Sequence, residues 1–248
     1  MKSWIFFGVC AGTMMLGMAT LSAEDAQVGQ EHYALRVHPE TGDLVSFTAF
    51  GRELIHDCGK PRALFGIRLR DDNGVATDLS ALEASAVTLK RESNPDEDRI
   101  IIGYEQLRNL PVSATVTIRC PKSGTMTYWH IATRNETGQR LEHIDFPTVV
   151  VPDRLVGQGG DARLFWPAME GVVVEDMSLR ENWWWKWRPI EHPSMGWIGL
   201  YPSSCPMQFM AYYAPDAGLY LATHDAEGHP KGIEYHYHPD GGIFLDLR

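Results

Sequence analysis

The chain has 248 residues, with 22 Lys or Arg against 32 Asp or Glu, so its formal net charge is −10 at pH 7. This acidic balance argues against nucleic acid or an anionic membrane as a partner, because the long-range field repels both. Four cysteines are too few for a disulfide scaffold, and we expect the three outside the N-terminal segment (Cys58, Cys120 and Cys205) to be unpaired and buried.

Residues 1–23 are typical of a cleavable signal peptide. Lys2 supplies a positive start, the run from Trp4 to Leu21 is apolar or small, and Ala23 gives a small residue before Glu24. The alternative is a membrane anchor, since the run reaches a marginal spanning length of about 18 residues. Its many small residues favour cleavage. We therefore expect a secreted or periplasmic protein without stable membrane insertion, whose mature chain starts near Glu24.

The rest of the chain, in order, shows short alternating or apolar runs separated by Gly-containing turns, which predicts strands. The predicted strands are 33–38, 44–50, 64–70, 87–90, 99–104, 114–120, 125–132, 141–146, 148–151, 207–213, 219–224, 232–238 and 243–248. Only 80–86 has modest helical character. With no repeat and no linker, the pattern indicates one all-β domain over residues 24–248, a large antiparallel β-sandwich with very little helix.

Four local signals refine this prediction. Residues 71–74 (Asp-Asp-Asn-Gly) predict a hairpin turn of type I′, which needs positive φ at both central residues. Residues 214–218 predict a second tight turn, in which Gly218 can take positive φ. Pro147 favours a sheet edge or a bend. Between residues 155 and 194 the strand pattern disappears, and a long irregular segment is usually functional or covers another surface.

The irregular segment contains an aromatic cluster, Trp183, Trp184, Trp185 and Trp187. Indole faces stack on the apolar faces of sugar rings, so these residues are candidates for carbohydrate binding. The alternative is that three rings belong to the core and the fourth packs on a partner. The residues alone leave both interpretations open.

The 207–224 hairpin carries a second candidate site, with Tyr201, His224 and Asp225 as its main polar groups and Gln208, Tyr212, Tyr213 and Tyr220 close to them. His224 beside Asp225 suggests an imidazole oriented by a carboxylate, as in general acid–base sites. A strand-end His followed by a turn-starting Asp is the simpler alternative. His236 and His238 have a chelating spacing without a third ligand, and Glu170 and Glu175 have no marked partner, so we expect no metal or other cofactor.

Four stretches carry a resemblance to a known family: 35–47, 131–138 with 144–147, Tyr201 with 207–213, and 218–225 with Lys231. Together they resemble the N-terminal β-supersandwich that precedes the catalytic barrel in a group of bacterial glycoside hydrolases and hydrolase-like proteins of unassigned activity. The resemblance implies a galactose-mutarotase-like fold, carbohydrate as a ligand and a catalytic barrel as a partner. No catalytic residue is implied within this chain, because such proteins carry their catalytic carboxylates in the barrel.

Two expectations follow from the point at which the chain stops. The domain is expected to lack its last strands and the barrel, so residues 243–247 would form an unpaired edge. Its function is expected to be that of a non-catalytic, carbohydrate-associated front domain. The alternatives are an aldose epimerase that uses His224 or His236, and a purely structural or carbohydrate-binding module.

Overall fold

The computed structural model describes residues 27–152, 162–175, 195–215, 217–237 and 242–248. The predicted signal peptide, the four clustered tryptophans Trp183, Trp184, Trp185 and Trp187, and His238 lie outside the described residues. Among those described, no helix is long and apolar enough to cross a membrane.

The described residues confirm an all-β fold with almost no helix. The two helical segments in this part of the chain are single 3-10 turns, Ala81–Glu83 and Leu107–Asn109. The strands in chain order are β1 Gln27–Gly29, β2 Tyr33–Val37, β3 Leu44–Ala49, β4 Arg52–Glu53, β5 Gly66–Arg70, β6 Ala76–Ser80, β7 Ala86–Ser93, β8 Glu97–Glu105, β9 Val112–Pro121, β10 Tyr128–Asn135, β11 Arg140–Asp145, β12 Thr148–Pro152, β13 Arg163–Trp166, β14 Val172–Val174, β15 Met195–Tyr201, β16 Phe209–Tyr213, β17 Gly218–Ala222, β18 Lys231–Tyr237 and β19 Gly242–Leu247.

These strands form five small antiparallel sheets, which are arranged like the five blades of a propeller. They do not form an explicit β-sandwich of the kind that the sequence predicts. Sheet I has the order β1-β2-β3-β4, sheet II β11-β5-β6, sheet III β10-β9-β8-β7, sheet IV β12-β19-β18-β15 and sheet V β14-β13-β16-β17. Sheets II, IV and V combine strands that are distant in sequence. Alternation of single strands does not specify such pairings, which is why the sequence suggested fewer and larger sheets.

The position of β19 corrects the expectation of an unpaired edge at 243–247. Ile243 pairs with Val151 of β12 on one side and with Tyr237 of β18 on the other, so β19 lies inside sheet IV. Among the described residues, sheet III ends at β10 and sheet V ends at β17. The free edges nearest the candidate site therefore belong to these two strands.

Alternating side chains form the core as the sequence predicts. Tyr33, Leu35 and Val37 of β2 are buried, as are Ile67 and Leu69 of β5. Buried side chains from all five sheets join one apolar cluster. Burying apolar surface stabilises a fold by about 25 cal/mol per Å², so this shared cluster is the main force that holds the five sheets together.

Two turns form where expected but with different geometry. The 71–74 hairpin has positive φ only at Gly74, because the Asp71 carboxylate accepts hydrogen bonds from the amides of Asn73 and Val75 and stabilises another turn type. Gly218 has no positive φ. It is needed for space, since a Cβ there would lie 2.9 Å from the carbonyl oxygen of Tyr212.

Other local predictions have mixed outcomes. The chain bends at Pro147, passing from β11 in sheet II to β12 in sheet IV. The helical signal at 80–86 is a 3-10 turn with a Ser80–Glu83 capping box. The irregular segment contains the strands β13 and β14, which its residues did not predict because each strand has four residues or fewer. The three described cysteines are free, with Cys120 and Cys205 buried and Cys58 half-buried.

Candidate functional site

A cleft of about 440 Å³ lies between the free edges of β10 and β17. Its floor is formed by buried core side chains, Phe47, Val149, Leu221 and Leu247. These four residues come from sheets I, IV and V, so the cleft opens directly onto the core where those sheets meet. Its volume lies within the range of about 300–1,000 Å³ that is usual for small-molecule sites.

The β10 wall presents an oriented indole. Trp129 is half-buried, and its Nε1–H donates to Oγ1 of Thr127 over 2.8 Å. Phe146 supports the same ring, with the centres 6.4 Å apart. A ring held on two sides loses little side-chain entropy when a ligand packs on it.

A row of aromatic rings crosses the outer face of sheet V and ends at the β17 wall of the cleft. Phe165 stacks on Phe209 at 5.3 Å, Phe209 lies 5.2 Å from Tyr220, and Tyr220 lies 6.2 Å from His224. Tyr220 is 44% exposed. The row therefore ends in accessible ring surface at the rim of the cleft.

Asp225 forms the polar end of the same rim. Its carboxylate accepts hydrogen bonds from the amides of Glu227 and His229 and from Nζ of Lys231 at 2.7 Å. The Lys231 ammonium, helped by these amides, holds the pKa of the Asp225 carboxyl well below its usual range. These contacts order the 225–229 turn. The expected role of Asp225 as an orienting partner of His224 stays a prediction.

Lys231 also joins Asp225 to Tyr201. Lys231 and Tyr201 are register partners in β18 and β15, and the ammonium lies 5.1 Å from the centre of the tyrosine ring. A cation at this distance from a ring face is attracted by its quadrupole. Lys231, which belongs to the resembling stretches, thus brings together two of the predicted site residues, Tyr201 and Asp225.

Of the other polar residues of the hairpin, Gln208 lies at the rim of the cleft and Tyr212 lies in the core. Gln208 donates from Nε2 to the carbonyl of Asp225 and accepts from Oγ1 of Thr223, so it braces the rim. Tyr212 points inward, is fully buried and donates to the carbonyl of Pro152 over 2.7 Å. The hairpin itself, β16 with β17, is confirmed.

A second titratable cluster lies on the face of sheet IV opposite to its core side chains Tyr235 and Leu245. Nδ1 of His236 is 3.8 Å from a carboxylate oxygen of Glu234 and 3.8 Å from one of Asp246. Burial raises the pKa of Asp246 to about 7, with the nearby Glu234 and Asp145 carboxylates acting in the same direction and a hydrogen bond from Thr148 opposing them. Burial likewise raises the pKa of Glu234, against the effect of Arg248.

The other candidates from the sequence are dispersed. His224 is exposed at the rim, Glu170 is exposed, and Glu175 lies 3.4 Å from Arg163 in an exposed ion pair. Within the described ranges, no group of three or more His, Cys, Asp or Glu side chains could hold a metal ion.

Several residues of both sites were missed from the sequence. Thr127 and Trp129 line the cleft without any motif around them, and Thr223 lines it directly before the predicted pair His224 and Asp225. A weak signal did exist for the second cluster. Glu234 and Asp246 each interrupt an apolar strand, and a carboxylate in that position must find buried partners.

Comparisons with known proteins found similarity in the fold. No family model and no curated protein matches the sequence. Two solved structures of the α-N-acetylgalactosaminidase NagBb from Bifidobacterium bifidum, one in complex with Gal-NHAc-DNJ and one a quadruple mutant, match with a TM-score of 0.58. Their identities to this chain are 15% and 12%, and each match covers 89% of it.

The chain shares its fold with part of a glycoside hydrolase. It spans about a third of each matched chain, 32% and 33%. This likeness is consistent with the glycoside hydrolase side of the resemblance drawn from the sequence. The galactose-mutarotase-like assignment stays a prediction.

Proposed function

We propose that this chain is a carbohydrate-associated front domain of a secreted glycoside hydrolase-like protein, and that it is not catalytic alone. The observation that carries the proposal is the fold match over 89% of this chain to about a third of a glycoside hydrolase. A domain that makes up one third of such an enzyme leaves room for a separate catalytic domain.

The geometry of the cleft supports a non-catalytic role. Glycoside hydrolases generally need two carboxyl groups, about 5–9.5 Å apart, on opposite sides of the scissile bond. Asp225 is the one carboxylate among the described residues that line the cleft, and its oxygens are engaged by Lys231 and backbone amides. The described lining of the cleft thus offers surface for binding but no pair of carboxylates for hydrolysis.

The finer parts of the proposal rest on the sequence. A mutarotase-like supersandwich is supported by the four resembling stretches, and secretion by residues 1–23. The partners are a carbohydrate and a catalytic barrel, and the proposed sugar-contacting residues are Trp183, Trp184, Trp185, Trp187, Tyr201, His224 and Asp225.

The natural gene product, expressed in a bacterial host, tests this proposal. The secreted fraction should contain a protein that starts near Glu24, exceeds the 27.9 kDa of this chain and hydrolyses a chromogenic glycoside. The isolated 248-residue chain should hydrolyse none. A cytoplasmic product of 27.9 kDa without a catalytic domain would overturn the proposal.

One observation favours a second candidate, an aldose epimerase. His236 lies beside Glu234 and Asp246, and an imidazole with carboxyl groups is a combination suited to moving protons. An epimerase would accelerate sugar anomerisation in a polarimeter, and the acceleration would disappear in His236→Ala. If His224 carries the reaction instead, His224→Ala would abolish it.

A further inference from the structure

We propose that the cleft between β10 and β17 binds the ring of one neutral hexopyranoside. The inference rests on the proposed carbohydrate-associated function, and it adds the place of binding and the class of ligand. The site uses Thr127 and Trp129 on one wall and Tyr220 and Thr223 on the other. None of these four was assigned a sugar-contacting role from the sequence.

The shape of the cleft suits a single small ring. A volume of about 440 Å³ is near the lower end of the usual range for ligand sites. The floor is apolar, and the hydroxyl and aromatic groups stand along the walls. A pyranoside has the matching distribution, with C–H groups on one face and hydroxyl groups around its perimeter.

The charge of the lining argues for a neutral ligand. Asp225 is the one carboxylate that lines the cleft in the described part of the chain, and Lys231 neutralises it at 2.7 Å. A uronic acid would find no free cation in this lining, and an amino sugar would find no free anion. Burying either charge without a partner costs affinity.

The two wall hydroxyls offer complementary hydrogen-bonding capacity. Oγ1 of Thr127 accepts from Trp129, so its own O–H remains able to donate. Oγ1 of Thr223 donates to Gln208, so its lone pairs remain able to accept. A sugar hydroxyl both donates and accepts, and can therefore bind at either residue.

The strand edges and rings supply the remaining contacts. On the described residues, β10 pairs only with β9 and β17 only with β16, so each directs alternate N–H and C=O groups away from its sheet. The fixed indole of Trp129 and the exposed ring of Tyr220 present apolar surface from the two sides. Such rings bury large area at little entropic cost.

Titration calorimetry of the 248-residue chain tests the inference. The neutral probes are methyl α-N-acetylgalactosaminide and methyl α-glucoside, and the charged ones are glucuronic acid and glucosamine. We expect saturable binding of at least one neutral probe with a dissociation constant near or below about 1 mM, and at least tenfold weaker binding of both charged probes.

Variants locate the binding. Thr127→Val and Tyr220→Leu should each weaken the affinity for the neutral probe by about 5–10-fold. The matched controls are Thr115→Val, on the exposed face of β9, and Phe50→Leu, at a 62% exposed ring outside the cleft. Both controls should leave the affinity unchanged, and unfolding temperatures should show that all four variants fold.

Three results would overturn the inference. One is no saturable binding of either neutral probe up to about 10 mM. A second is binding that survives both cleft variants, which would place the sugar elsewhere. A third is slow hydrogen exchange along β10 and β17 in the longer natural protein without sugar, which would mean that a protein segment fills the cleft. None of these three results tests the proposed front-domain role. That proposal fails instead if the natural protein has no catalytic domain.

Discussion

Nζ of Lys231 lies 2.7 Å from Oδ2 of Asp225, and the lysine side chain is only 10% exposed. Lys231 begins β18 in sheet IV, whereas Asp225 follows β17 in sheet V. The contact therefore ties two sheets together at the rim of the cleft. A charge-assisted hydrogen bond at a shielded position is stronger than one between neutral groups.

Replacing this lysine should destabilise the domain. We expect Lys231→Met to lower the unfolding temperature by about 2–4 °C at pH 7. Because the pKa of Asp225 is lower in the folded protein than in the unfolded chain, its contribution is present above about pH 4 and is lost as the pH falls. The difference from the unmodified protein should thus shrink in acid. Thermal unfolding at pH 7 and pH 3 measures both effects.

The matched control for this variant is Lys90→Met. Lys90 pairs with Glu92 at 2.6 Å, but its side chain is 69% exposed, and exposed pairs contribute little. Its unfolding temperature should change by less than about 1 °C. Equal losses in the two variants would contradict the role given to Lys231.

Asp246→Asn should change the pH dependence of stability. The pKa of Asp246 is raised to about 7 in the folded protein and is about 3.9 in the unfolded chain. Between about pH 3.9 and pH 7, the folded state therefore keeps a proton on Asp246 that the unfolded state has released. Stability from this group is therefore full below about pH 4 and falls as the pH rises to 7, by about 1.4 kcal/mol per pH unit. The Asn variant should lose this slope.

Urea unfolding between pH 4 and pH 8 measures the slope, with Asp78→Asn as the control. Asp78 is exposed and pairs with Arg68 across β5 and β6, and its pKa is lowered instead of raised. Asp78→Asn should keep the fall in stability towards pH 7. If Asp246→Asn keeps it as well, Asp246 does not hold the proton.

Gly218→Ala should weaken the β16–β17 hairpin. The added Cβ would lie 2.9 Å from the Tyr212 carbonyl oxygen, a backbone atom that cannot move without breaking the strand pairing. We expect a loss of about 1–3 kcal/mol in the free energy of unfolding, together with faster hydrogen exchange in β17. Gly29→Ala is the control, because its Cβ would make only an ordinary contact of 3.9 Å. A neutral Gly218→Ala would contradict the steric explanation.

The four clustered tryptophans give a further prediction. If they bind carbohydrate, Trp184→Ala and Trp187→Ala should reduce binding on a glycan array while the unfolding temperature stays nearly constant. If the rings are core, each variant should instead lose about 3–5 kcal/mol of stability. Comparing binding with unfolding in the same variants separates the two outcomes.

Local features of this fold follow from the sequence. Alternation places Tyr33, Leu35 and Val37 on the buried side of β2, and the hairpin of β16 and β17 forms where its turn residues predict it. Both depend on neighbours within a few positions. Side-chain period and turn chemistry are therefore sufficient to predict them.

Long-range features do not follow. The cleft brings Trp129 near Thr223, and β19 lies between β12 and β18. Such pairings depend on how whole sheets pack, and an alternating strand fits many neighbours equally well. Asp246 illustrates the same limit, because its pKa is raised first by burial and then by carboxylates on two other strands, Glu234 of β18 and Asp145 of β11.

A front domain of a glycoside hydrolase-like protein requires a catalytic domain in the same chain, so we would first read the DNA that follows the codon for Arg248 in the natural gene. We expect an open frame that continues into a second domain with a pair of catalytic carboxylates. A stop codon directly after Arg248, with no such domain elsewhere in the same chain, would mean that this domain is not the front of a glycoside hydrolase-like protein.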